Sequence, residues 1–241
     1  KQIEIDDADL CFYNKATTLY YCYTQEALSW SGPIIYDESK KAQPPIALNG
    51  DLKLFRSTII NHTLNRQLAG FEQLDIKKLA VNGQKVIAAD FAIKKLAALQ
   101  RGKKASDNTI AFDSLALKAI DYSPEALSIK SISINDLTQN VSKNKNGLWE
   151  HDKWFIEPNK QNKAAKKKQG AEANTKSTNE KTEQPFNIAI SKIIIDTKKP
   201  ISYTDNSTSP SFTAGFTQLY FSLSGLDSKK PEQNSPLKLA A

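Results

Sequence analysis

Acid–base or metal chemistry would start at the two histidines, His62 and His151, which lie far apart in the chain. Neither has a ligand-type neighbour at helical or strand spacing, as a metal site needs, so each reads as a surface or capping residue. Asp6, Asp7 and Asp9 gather three carboxylates but lack the ligand ladder and central glycine of a calcium loop. Asp205-Asn206-Ser207 suits an Asx turn ahead of Pro210, and as a catalytic group it has no base. Trp30, Trp149 and Trp154 could stack on sugar rings, yet they are scattered and read as packing residues. Asn61-His62-Thr63, Asn140-Val141-Ser142 and Asn206-Ser207-Thr208 are formal glycosylation acceptors, which matter only in a eukaryotic host. The expectation is a protein that is not an enzyme, with no catalytic residue, no metal and no cofactor.

Cys11 and Cys22 are the only cysteines, and they flank "FYNKATTLYY". The polar stretch Asn14-Lys15-Ala16-Thr17 suits a hairpin turn that would bring them together. In an oxidising compartment they would form a disulfide worth about 3 kcal/mol. Two buried free thiols are the alternative.

What the rest of the chain must position is apolar. Period-two alternation dominates, placing Ile3 with Ile5, and Leu52 with Leu54, on one face of a strand. Ile110 and Phe112 run in one phase while Leu115 and Leu117 run in the other, which implies a bulge near Asp113-Ser114. The pattern returns in "ALSIKSISI", in "FNIAISKIIID" with Ile188 and Ile190, and in "TQLYFSLSG" with Leu219, Phe221 and Leu223. Ser31-Gly32-Pro33, Asn49-Gly50, Asn82-Gly83 and Asn146-Gly147 read as breakers between strands. Short strands at this spacing predict a mainly β, antiparallel architecture. "EQLDIKKLAV" and "DFAIKKLAALQRG" each suit a short helix, and Pro124 could open a single helical turn.

Composition adds three divisions. Residues 1–156 read as a β-rich region with short helices, and 186–241 as a further β-repeat of the same sheet, cut short at its end. Between them, 157–185 carry seven Lys against four Glu and no bulky apolar residue, so they cannot bury enough surface to offset ordering and read as a flexible linker. That segment supplies +3 of the net charge of +7. The remaining excess is spread over doublets such as Lys77-Lys78, Lys94-Lys95, Lys103-Lys104 and Lys198-Lys199, without the interleaved aromatics of a nucleic-acid platform. No apolar run approaches the ~18 residues of a membrane helix. Beginning and ending within strand patterns, the chain reads as a piece of something longer.

"ISYTDNSTSPSFTAGFTQLYFSLSGLDS", followed by "SPLKLAA", resembles the large AsmA-like proteins of the Gram-negative envelope, in the branch termed domain of unknown function 748, relatives of TamB and YhdP. The positions that carry the likeness are Tyr203, Asp205, Ser207, Pro210, Gly225, Leu226 and Pro236. "FDSLALKAIDYSPEALSIKSISINDL", with Asn146-Gly147-Leu148 after it, looks like the preceding repeat. The resemblance implies an antiparallel sheet curled into an open, apolar-lined gutter that holds phospholipid acyl chains between inner and outer membranes. It implies a periplasmic location, an inner-membrane anchor helix outside this sequence, and the rest of that polypeptide and other envelope proteins as partners. Under this expectation the groove candidates are Ile3, Ile5, Leu52, Leu54, Ile110, Phe112, Leu115, Leu117, Ile188, Ile190, Leu219, Phe221 and Leu223. A structural or adaptor module without lipid cargo is the competing expectation, in which the same residues form a closed core. A carbohydrate-binding β domain stands third.

Overall fold

The computed structural model describes residues 2–15, 19–37, 39, 45–101, 107–149 and 186–241, and the linker expected at 157–185 lies outside them. All regular structure among these residues is β. Its first half comprises β1 (Gln2–Asn14), β2 (Leu19–Ser31), β3 (Ile34–Tyr36), β4 (Ile46–Asn61), β5 (Arg66–Asn82), β6 (Lys85–Gln100) and β7 (Asn108–Ser123). Then come β8 (Ala126–Asn135), β9 (Thr138–Lys143), β10 (Asn187–Thr197), β11 (Ile201–Asp205), β12 (Phe212–Phe216), β13 (Leu219–Asp227) and β14 (Leu237–Ala240).

They form one sheet whose main path is β1-β2-β4-β5-β6-β7-β8-β10-β13-β14, with β3 beside β4. β9, β11 and β12 form a side branch. They prolong β8, β10 and β13 past short interruptions, so three long broken strands run together. β1 and β14 do not pair with each other, and the sheet is not closed into a barrel.

Two sequence expectations need correction. The sheet is mixed, not antiparallel: β8 and β10 pair in parallel (Ile129↔Ile190, Ile134↔Ile195), as do β9 and β11 (Val141↔Tyr203). Parallel neighbours need a long crossover, and the stretch between Lys143 and Asn187 is long enough to return the chain to the same end. The short helices do not form either. Glu72–Val81 lies within β5 and Asp90–Gln100 within β6, while Pro124 and Glu125 make the turn from β7 into β8.

The error has a physical source in two lines of backbone kinks that cross the sheet. Asp7, Arg56, Lys95 and Asp136 have φ of 50°, 44°, 51° and 52°, the left-handed region. The pairing registers place Glu26, Glu72 and Asp113 on the strands between them. A row of charged residues therefore marks the first line, stitched by Arg56 to Glu26 (2.5 Å), Lys95 to Glu72 (2.7 Å) and Lys199 to Asp113 (2.7 Å). Lys95 holds the Glu72 carboxyl below its ordinary range by hydrogen bond and charge, and Lys199 does the same to Asp113. The second line carries Lys78 at 50°, Ala119 at 49° and Gly225 at 74°.

At each kink strand alternation breaks, so the apolar spacing becomes three, as in Ile76–Leu79 and Ile93–Leu96, with a lysine pair between. That spacing imitates a helix. No residue is inserted near Asp113-Ser114, because β6 and β7 keep one register on both sides (Lys94↔Ser114, Leu96↔Phe112). The phase change there falls on the kink line, between Lys95 and Asp136, and has no bulge with it.

The glycine signals divide. Asn82-Gly83 closes the β5–β6 hairpin, with Gly83 at φ 61°. Asn49-Gly50 does not separate strands but lies inside β4, where the β4–β5 register shifts between Gly50 and Leu52. Gly50 is there because β4 passes close to the end of β2, where an added Cβ would fall 2.1 Å from the Ser31 carbonyl oxygen.

Candidate binding face

Cross-strand partners stand on the same face of a sheet, so the registers can be read as rows. One row runs Ile5–Leu28–Leu54–Leu74–Ile93–Leu115–Ile134–Ile195–Phe221–Leu239, taking one residue from each strand of the main path. The next runs Ile3–Trp30–Leu52–Ile76–Phe91–Leu117–Ile132–Ile193–Leu223–Leu237. Within each strand the two members are two residues apart with no kink between, so both rows share one face. Every member is apolar.

A row between them is different in character: Glu4–Ser29–Lys53–Asp75–Ala92–Ala116–Ser133 belongs to the other face and is mostly polar or small. Of the apolar rows only Trp30 is buried, its indole Nε1 donating to the Gly32 carbonyl at 3.1 Å. The ends are open, with Ile5 44% and Leu239 63% exposed, and the middle is half-buried. Among the described residues no second layer covers this face.

Of the groove candidates, Ile3, Ile5, Leu52, Leu54, Leu115, Leu117, Phe221 and Leu223 fall in the two rows. Ile188 and Ile190 lie past the second kink line, opposite Leu127 and Ile129. Ile110 and Phe112 lie past the first, where Phe112 is buried. Leu219 sits opposite Thr197, outside the rows. Sequence reading missed Leu74, Ile76, Phe91 and Ile93 because it placed them in helices, although their two-residue spacing was visible. It also passed over Leu28, and over Ile132 and Ile134 within a stretch it had read as a strand.

Cys11 and Cys22 face each other across β1 and β2, are joined as a disulfide, and have Cα atoms 4.1 Å apart. Past the first kink line, on β2 and β4, lies a small polar island. Gln25 and Ser57 are direct partners, 5% and 1% exposed. The Tyr23 hydroxyl donates to Gln25 Oε1 at 2.9 Å and lies 3.2 Å from Ser57 Oγ. Gln25 Nε2 has no hydrogen-bond partner among the described residues. Leaving a buried donor unmatched costs about 1–3 kcal/mol.

The polar knot at the other end is structural. Asp205 accepts from Ser207 N (2.9 Å), Ser207 Oγ (2.5 Å) and Tyr203 Oη (2.9 Å). The Ser207 bonds, with that from Tyr203, hold its carboxyl below the ordinary aspartate range. Burial and the same bond push the Tyr203 hydroxyl up. Tyr203 also packs against Trp149, whose ring lies 4.8 Å from Lys143 Nζ. Beside this knot an open concavity of about 520 Å³ is lined by Val141, Ile201, Tyr203, Ala214 and Phe216, among others.

His62 packs against Tyr20 in a tilted ring pair with centroids 5.1 Å apart, and no group of three metal-type ligands occurs among the described residues. His151 and Trp154 lie outside the described residues. The chain matches no known protein family, no curated protein and no solved structure.

Proposed function

We propose that this sheet binds lipid acyl chains along its apolar face, as one segment of an AsmA-like, bridge-type phospholipid carrier in a Gram-negative periplasm. In this reading the sheet curls into a gutter, and the membrane anchor belongs to a part of the polypeptide outside this sequence. The observation that carries it is the pair of edge-to-edge apolar rows without a cover. Exposed apolar surface of this extent marks a binding site, because leaving it wet has no stabilising return. Each methylene buried against it contributes about 0.8 kcal/mol, so a long acyl chain gains on the order of 10 kcal/mol. Neither row contains a polar residue, so a chain lying across the strands meets no hydrogen-bonding group on which to stop.

The test is native mass spectrometry on detergent-free protein made in a bacterial periplasm. Phospholipid is expected to co-purify, and Phe221→Asp, between Ile195 and Leu239 in the first row, is expected to lose it while keeping its β circular dichroism and melting cooperatively. A folded, lipid-free wild type would remove the proposal. It would favour a second reading, an envelope adaptor that recruits partners by strand addition to the open edges of β1 and β14.

A further inference from the structure

β12 is an edge that nothing guards. It pairs with β11 on one side, and among the described residues no strand takes the other. Edge strands ordinarily carry charge, proline or a kink that discourages further pairing. β1 has Glu4, Asp6, Asp7 and Asp9 with the left-handed kink at Asp7, β3 lies between Pro33 and Asp37, and β14 has Lys238. Phe212-Thr213-Ala214-Gly215-Phe216 has none of these, keeps one register with β11, and is exposed at every residue. The strand also reads alike from either end. Phenylalanine stands at both ends and alanine at the middle, and these three share the face that carries Val141, Ile201 and Tyr203.

We propose that β12 pairs antiparallel with β12 of a second copy of this chain, about a two-fold axis at Ala214. In that register Ala214 meets the partner's Ala214, Phe212 meets the partner's Phe216, and Thr213 meets the partner's Gly215, where no side chain competes for room. A two-fold interface requires such self-complementarity, each residue meeting the one that meets it in return. Both ends then hold an aromatic cross-strand pair, which stabilises a sheet more than an alanine pair does. Directly opposed residues share a face, so the concavity of about 520 Å³ that Ala214 and Phe216 help to line meets its own copy across the axis. Five residues a side fall well short of a standard interface, and the dimer is accordingly weak and reversible. This inference stands apart from the acyl-chain reading, because it uses the free backbone edge of β12.

The experiment is sedimentation velocity on the whole chain over a wide range of concentration, with a charge placed on the axis. The wild type is expected to move from monomer toward dimer as concentration rises. Ala214→Asp and Ala214→Lys, each of which sets like charges against each other at an exposed position, are expected to weaken association by at least about tenfold. Mixed in equal amounts, the two variants are expected to associate again, because residue 214 of one copy then meets the opposite charge of the other. Ala214→Glu and Ala214→Arg repeat the exchange if either variant melts early. A wild type that stays monomeric throughout would overturn the proposal. An assembly undiminished in Ala214→Asp would place the contact on another surface and overturn it too. So would a mixture no more associated than its separate components.

Discussion

Single residues divide this molecule into a slick face and a fastened one, and Asp205 shows how the fastening works. Its carboxylate closes the turn after β11 by accepting three hydrogen bonds, an arrangement legible in the sequence as an Asx turn before Pro210. Because these bonds favour the ionised form, the folded value lies below the unfolded one. The stabilisation is therefore fully present above the ordinary aspartate value of about 3.9 and is lost as pH falls through the lowered value. Asp205→Asn is expected to destabilise the protein at neutral pH and to flatten the acid limb of its stability profile. Urea melts at a series of pH values would show this, and an identical acid limb in the two proteins would refute it. The unused donor of Gln25 was not legible. Sequence shows a glutamine in a strand, and only the structure places it between Ala8 and Ser57 and buries it.

At the scale of elements, the strands were readable wherever alternation ran unbroken, as in Ile3–Ile5 or Leu52–Leu54. They became unreadable where a kink changed the phase. Lys94-Lys95 looked like the polar side of a helix, whereas Lys95 carries a left-handed backbone that lets Ile93 and Leu96 stay with their neighbours in β5 and β7. A left-handed φ is a tertiary compromise, invisible to propensity. Its cost can be measured at Ala119, whose side chain is exposed and has no charge to confuse the result. Ala119→Gly is expected to stabilise the fold by about 1 kcal/mol, since glycine carries no left-handed penalty. Ala119→Val is expected to cost about 1–2 kcal/mol, because a β-branched side chain fits that region poorly. Chemical denaturation of the pair decides the matter, and equal stabilities would remove the kink line as a source of strain.

As a whole, the molecule is a sheet many strands wide with little interior. Among the described residues the buried apolar set is small, including Trp30, Ala88, Phe112 and Ile129. Width replaces depth, and the outer strands need other means of attachment. β1 has one neighbour, β2, and the Cys11–Cys22 disulfide secures it. Reduction is expected to remove about 3 kcal/mol, felt mainly at that edge. Hydrogen exchange should then rise in β1 and stay unchanged in β5 and β6; a uniform rise across the sheet would show instead that the edge strand supports the whole.

The parallel seam between β8 and β10 also bears on the order in which the protein folds. From β1 to β8 each strand of the main path pairs with one close to it in sequence, so that half can grow hairpin by hairpin. The β10–β13–β14 meander can do the same. Joining the two is a different event, since Asn187 meets Ala126 across a long stretch of chain and no hairpin leads there. Closure of a long loop is the slow step in such topologies. The two halves are thus expected to form first and the apolar rows to join only when the seam closes, so the full length of the apolar face is expected to be the last feature the fold acquires.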